Sequence, residues 1–245
     1  MKGFRERMLD SANERKSRVV LALDISGPYE ERVSKAMEVF RATKEEVAAV
    51  KLNHHLLLPF GLEGIRGLLG DFSDAGVPVI ADLKLNDIES TNLNAAESLR
   101  HYGVDAVIAN PFVGREEGLG KVVERMHDLG GGLILLVYMS HRGASEGYSL
   151  RVEGGEPLYR VFAERARDWG ADGVVVSAKE GKKLAEAREI LGKVPLIFSP
   201  GVGAQGGDAR EALKGGADFV IVGRTIAESK EPLKALRGLD AAGLD

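Results

Sequence analysis

The chain has 245 residues, 44% of them hydrophobic and 29% charged, with a net charge of −4. That size and balance fit one large soluble domain with a substantial core, and they give no basic footprint for nucleic acid. The absence of cysteine excludes disulfides, thiol catalysis and Cys-ligated zinc. No run approaches the roughly 18 apolar residues of a membrane span, and the charged segment Met1–Arg7 lacks the apolar centre of a secretion signal. A cytoplasmic protein without membrane contact is expected.

Residues 5–16 read as a short amphipathic helix, and Arg18–Asp24 as an apolar strand ending in an acid. Pro28 opens a helical pattern reaching about Thr43, with Val33, Met37 and Phe40 on one face. Val47–Lys51 is a second strand, ending in a base. A helix over 61–74 and a strand over Val77–Lys84 follow, and Thr91 is placed to cap a helix running to His101. The next strands are Val104–Ala109, Leu133–Tyr138, Gly173–Val176, Val194–Phe198 and Ala217–Val222. Between and after them lie helices at Arg115–Asp128, Pro157–Trp169, Glu180–Leu191, Asp208–Lys214 and Thr225–Arg237, with a polar loop over Ser140–Glu156.

Eight strands, each followed by a helix, with no linker rich in Pro, Ser or charge, predict a single (β/α)8 TIM barrel over residues 1–245 with a short N-terminal helix. Continuously apolar strands are buried on both faces, which is the habit of parallel sheets. A doubly wound sheet is the alternative, but no G-x-G-x-x-G follows the first strand. No long-period repeat stands out beyond the βα alternation itself.

Polar residues at the C-terminal ends of barrel strands converge on one mouth. Here those ends carry Asp24, Lys51, and Asp82-x-Lys84-x-x-Asp87. Side chains two apart on a strand share a face, so Asp82 and Lys84 project together. Buried ion pairs stabilise little for their desolvation cost, whereas alternating acids and bases hold a lysine protonated and aimed. The glycine-rich run Ser199–Asp208 and the segment Val222-Gly223-Arg224 follow strands seven and eight. Exposed backbone N–H groups, a helix start and a guanidinium there predict a phosphate site. Ser140 follows strand five within reach of a ligand. His54 and His55 are adjacent and cannot share a face, while His101 and His127 fall in helical patterns as solvent-facing residues.

These residues resemble the orotidine 5′-monophosphate decarboxylases, and within them the archaeal-type branch. The resemblance runs from Leu21–Asp24 to Ile221–Thr225 and rests on Asp82-x-Lys84-x-x-Asp87-Ile88, Met139-Ser140-His141, Ser199–Asp208 and Val222-Gly223-Arg224. It implies decarboxylation of orotidine 5′-monophosphate without metal or organic cofactor. By it, Lys84 is the proton donor, Asp82 faces the substrate carboxylate, and Asp24 and Lys51 contact the ribose and extend the charged array. Ser140 reads the pyrimidine, and Gln205 bridges base and phosphate on a lid that includes Pro200, Gly201 and Val202. Gly223 and Arg224 hold the phosphate. It further implies a homodimer in which Asp87, Ile88 and Thr91 reach across the interface. Glu89 and Arg142 depart from it, standing where many relatives carry proline, which bears on local loop shape. A sugar-phosphate decarboxylase or hexulose-phosphate synthase is the nearest rival, but those resemble Mg2+ enzymes with a glutamate ligand at the end of strand two, where this chain has Lys51. A non-catalytic phosphate-binding barrel would not need Lys84 between two carboxylates.

Overall fold

The computed structural model describes residues 2–239. Eight parallel strands close into a barrel in sequence order: β1 (Val19–Ala22), β2 (Ala49–Asn53), β3 (Val79–Leu85), β4 (Ala106–Ala109), β5 (Gly132–Tyr138), β6 (Gly173–Val176), β7 (Leu196–Pro200) and β8 (Phe219–Val222). The helices are α1 (Phe4–Arg15), α2 (Arg32–Thr43), α3 (His54–Gly64), α4 (Arg66–Asp74), α5 (Glu89–His101), α6 (Gly120–Asp128), α7 (Ala144–Tyr148), α8 (Leu158–Asp168), α9 (Gly181–Leu191), α10 (Ala209–Lys214), α11 (Arg224–Ala227) and α12 (Pro232–Arg237). The (β/α)8 barrel read from the sequence is the fold.

Strand alternation divides the apolar residues between two cores. Val19, Leu21, Val50, Val107, Leu135, Val174 and Val220 face outward against the helices. Val20, Ala22, Ile80, Ile108, Leu136, Val175, Phe198 and Ile221 fill the barrel interior. Helix α1 closes the N-terminal end of that interior. Its Phe4, Met8 and Ala12, one helical turn apart, are all buried there. A Cβ on Gly132 would sit 2.6 Å from the Phe4 ring, so only glycine lets α1 seat this deeply.

The same junction recurs before three of the strands. Gly103-Val104-Asp105, Gly170-Ala171-Asp172 and Gly216-Ala217-Asp218 each lead into a strand, with the glycine at positive φ. Each aspartate accepts from a backbone N–H of the preceding strand, at Val79 (2.9 Å), Leu133 (2.9 Å) and Ile197 (2.7 Å) respectively. Each also holds a basic partner: Arg7, His127 and Arg188.

Several expected boundaries change. The single helix over 61–74 is two helices, and α3 begins directly after β2, where the Asn53 side chain accepts from the His55 N–H. Pro59 and the kink at Gly61 (φ 61°) break the apolar period that would have revealed α3. Thr91 caps nothing: α5 starts at Glu89, with Ile88 at its N-cap position. The loop over 140–156 contains α7, the helix expected from Arg115 becomes regular only at Gly120, and the last helix divides into α11 and α12. Pro28 precedes a 3-10 turn, Tyr29–Glu31, that runs into α2.

Candidate active site

Strands β1 to β3 deliver the charged residues. Lys51 lies opposite Ala22 on β1, and Asn53 lies opposite Asp82 on β3. The Lys51 ammonium donates to Asp82 Oδ2 (2.8 Å) and, at 3.5 Å, to Asp24 Oδ1. Lys84 donates to the other Asp82 oxygen (2.7 Å), and Asn53 Nδ2 donates to Asp24 Oδ1 (2.6 Å). The contacts form one line, Asn53–Asp24–Lys51–Asp82–Lys84, running into the barrel mouth.

Burial by itself would push the Lys51 pKa down, but the carboxylates of Asp82 and Asp24 outweigh it and hold the amine above its ordinary value. Burial would likewise raise Asp82, and the two lysines outweigh it and hold the carboxyl below its ordinary value. Both groups stay ionised at neutral pH.

Lys84 departs from regular strand geometry. Its φ is 50°, in the left-handed region, and the β3–β4 register shifts between Ala81 and Leu85. A side-chain-bearing residue is strained there by about 1–2 kcal/mol, and such strain persists where the surroundings impose it. The twist sets the ammonium against Asp82 while it lines the cavity at the mouth.

The opposite wall is the segment after β7. Gly201 and Gly203 have positive φ (100° and 71°), and the loop is cross-braced by Gly207 N–H to Gly201 O (2.9 Å) and Gly203 N–H to Gly207 O (3.0 Å). Two contacts dock it over the mouth. Ala204 N–H donates to Thr225 Oγ1 (2.9 Å), and Ser140 Oγ donates to Gln205 Oε1 (2.9 Å). A Cβ on Gly203 would fall 2.3 Å from the Thr225 hydroxyl, so glycine is needed for the docking.

One cavity gathers the expected residues: Asp24, Lys51, Asp82 and Lys84 on one side, and Ser140, Pro200, Gly201, Val202, Gln205, Gly223 and Arg224 on the other. Ile108, Leu136, Val175 and Ile221 supply its apolar floor. Those four, and Asn53, were not singled out from the sequence. An inward position in a strand buried on both faces has no polarity signal, whereas the pairing of Asn53 with the adjacent Asp82 could have been found from register. The arrangement suits a flat, partly apolar ligand with one end against an array of alternating charges and an anionic end near Arg224.

Asp87, Ile88 and Thr91 do not line the cavity; all three are exposed, Ile88 at 64%. His54 and His55 are exposed at the start of α3, and His127 pairs with Asp172 away from the mouth. Glu89 occupies the first turn of α5, where a carboxylate suits the helix dipole, and pairs with Lys121. Arg142 is exposed beyond Ser140.

A family model described as orotidine 5′-phosphate decarboxylase / HUMPS family matches residues 17–239. The chain belongs to that family. It is similar to an orotidine 5′-phosphate decarboxylase of the archaeon Pyrococcus abyssi, 40% identical over 219 residues, which are 89% of this chain and 95% of that protein. Among solved structures, orotidine 5′-monophosphate decarboxylase of Methanocaldococcus jannaschii, complexed with inhibitor BMP, superposes with a TM-score of 0.78 at 28% identity, covering 93% of this chain and 99% of that one. Leishmania donovani UMP synthase superposes with a TM-score of 0.84 at 28% identity over 98% of this chain, and the chain spans 55% of that longer protein.

Proposed function

We propose that this chain decarboxylates orotidine 5′-monophosphate to uridine 5′-monophosphate, the last step of de novo pyrimidine synthesis. The observation that carries the reading is the line Asp24–Lys51–Asp82–Lys84 at one wall of a cavity whose other wall holds Arg224 and the glycine loop. In the reaction the bond from C6 to the carboxylate breaks, CO2 leaves, and the electron pair stays on C6. No adjacent π-system takes up that charge. The Lys84 ammonium, fixed by Asp82, stabilises it electrostatically and then gives its proton to C6, to be reprotonated from solvent. Asp82 would lie against the departing carboxylate, and its charge is already shared by two lysines.

Lys51 supports this reading over Mg2+ chemistry of the sugar-phosphate type. It places a buried ammonium beside Asp82, where a divalent ion would need a ligand. The remote end of the substrate supplies binding energy. Phosphate held by Arg224 and the Gly223 backbone favours the docked lid, in which Gln205 meets Ser140 above the cavity.

A homodimer completes the site in this reading. Asp87 makes no ion pair among the described residues and does not line its own cavity, and Ile88 and Phe112 (67% exposed) present apolar surface in successive loops at the same mouth. A second copy would cover that surface and bring its Asp87 toward Lys84, with Ile88 and Thr91 alongside.

The test is loss of the ultraviolet absorbance of orotidine 5′-monophosphate in the presence and absence of a chelator. Equal rates are expected. Turnover that depends strictly on added Mg2+ would overturn the reading in favour of the sugar-phosphate chemistry.

A further inference from the structure

Asn92 lies in the first turn of α5 and is 1% exposed, one of few polar side chains buried this deeply. Its amide is spent almost wholly on one residue. Oδ1 accepts from the Asp87 N–H (3.2 Å), and Nδ2 donates to the Asp87 carbonyl and, at 3.4 Å, to the Gly118 carbonyl. Both peptide groups flanking the Asp87 Cα are therefore tied to a single buried side chain. Asp87 also accepts from the following N–H, that of Ile88 (2.7 Å).

Burying an amide costs free energy unless every polar atom is paired. Residues 86–88 are exposed, so their peptide groups could be satisfied by water alone. Tying this loop to an inward-facing amide instead removes backbone freedom at one residue, Asp87. Gly118 takes part in the clamp. A Cβ at 118 would lie 2.9 Å from the Val113 carbonyl, so glycine lets the turn before α6 close against α5 and offer its carbonyl to Asn92.

We propose that Asn92 is a positioning residue for the decarboxylation: it fixes the Asp87 backbone so that the carboxylate enters the partner's site at the correct place beside Lys84. This rests on the reading of Asp87 as a residue shared across the dimer. A displacement of about 1 Å in a reacting constellation costs on the order of 100-fold in rate. Asn92→Asp keeps the shape of the side chain and its acceptor toward the Asp87 N–H, but turns a second oxygen toward two carbonyls. It should lower kcat about 100-fold while moving KM little.

Mixed dimers separate this role from general support of the fold. When Asn92→Asp protein is mixed and exchanged with Lys84→Ala protein, one site per heterodimer combines an intact Lys84 with an intact Asn92–Asp87 pair, so activity should recover to about a quarter of the unmodified value. Mixed with Asp87→Ala protein, it should recover none, because both sites then lack a correctly placed Asp87. The control pair, Asp87→Ala with Lys84→Ala, should also recover about a quarter. No recovery in the control would overturn the shared-site reading and the Asn92 role with it. Recovery in the control, but none from Asn92→Asp with Lys84→Ala, would overturn the Asn92 role alone. So would Asn92→Asp protein with unchanged kcat.

Discussion

Replacing Lys84 by alanine and, separately, by glycine tests its chemistry and its backbone at once. Both variants lose the ammonium that touches Asp82 and lines the cavity. A positioned general acid contributes about 10²–10⁴ in rate, and a preorganised charge about 10²–10³. Turnover should fall at least about 10⁴-fold in either variant by these magnitudes. Binding of uridine 5′-monophosphate, followed by calorimetry, should persist because the Arg224 wall is untouched. Stability should separate the two. At φ 50° an L-residue is strained by about 1–2 kcal/mol, while glycine loses about 0.5–1 kcal/mol more chain entropy than alanine on folding. Glycine at 84 should therefore be the more stable variant, by about 0.5–1 kcal/mol in denaturant unfolding. On an ordinary strand residue the order would be reversed. An alanine variant more stable than the glycine variant by about 0.5–1 kcal/mol, the order of an unstrained strand residue, refutes the strain, and turnover within tenfold of the unmodified protein in either refutes the proton-donor role.

Arg224→Ala removes a guanidinium from the phosphate wall, and charge-assisted hydrogen bonds contribute about 1.5–3 kcal/mol. KM for orotidine 5′-monophosphate should rise about 10- to 100-fold, whereas a phosphate-free nucleoside should be processed no worse by the variant than by the unmodified protein; a further loss on the nucleoside would refute the assignment. The charged array also fixes a pH dependence. Asp82 is held below the usual carboxylate value of about 3.9, so its contribution to stability is present above that pH and is lost as pH falls through the folded value. Lys51 is held above about 10.4, so its contribution is complete below that pH and is lost as pH rises through the folded value. The difference in unfolding free energy between the unmodified protein and Asp82→Asn should be constant from about pH 5 to 9 and shrink below about pH 4. A difference that changes across neutrality would show that Asp82 is not held as an anion.

Sequence alone determined the βα alternation, the parallel barrel and the charged and glycine-rich residues of the cavity, but not its apolar floor or Asn53. The reason is physical: strands buried on both faces are continuously apolar, so a charge at their ends, such as Lys51 or Asp82, stands out against the background. Glycines at 201 and 203 were legible because positive φ and close backbone approach admit little else. Irregular elements were not. Helix α3 hides behind Pro59 and Gly61, and α5 starts at Glu89 with no side-chain cap, two residues before Thr91. The three Gly-x-Asp junctions were visible as letters, but their meaning depends on a neighbouring strand more than 20 residues earlier in the chain.

Only the tertiary structure decided how the charges are shared. It joined Asp24, Lys51, Asp82 and Lys84 into one line, brought in Asn53, and placed Lys84 in a strained backbone conformation. It also left Asp87 outside the cavity lining and tied its backbone to buried Asn92. A sequence spacing sets which residues follow one another along a strand, but register, barrel closure and the packing of the next loop decide which carboxylate meets which ammonium.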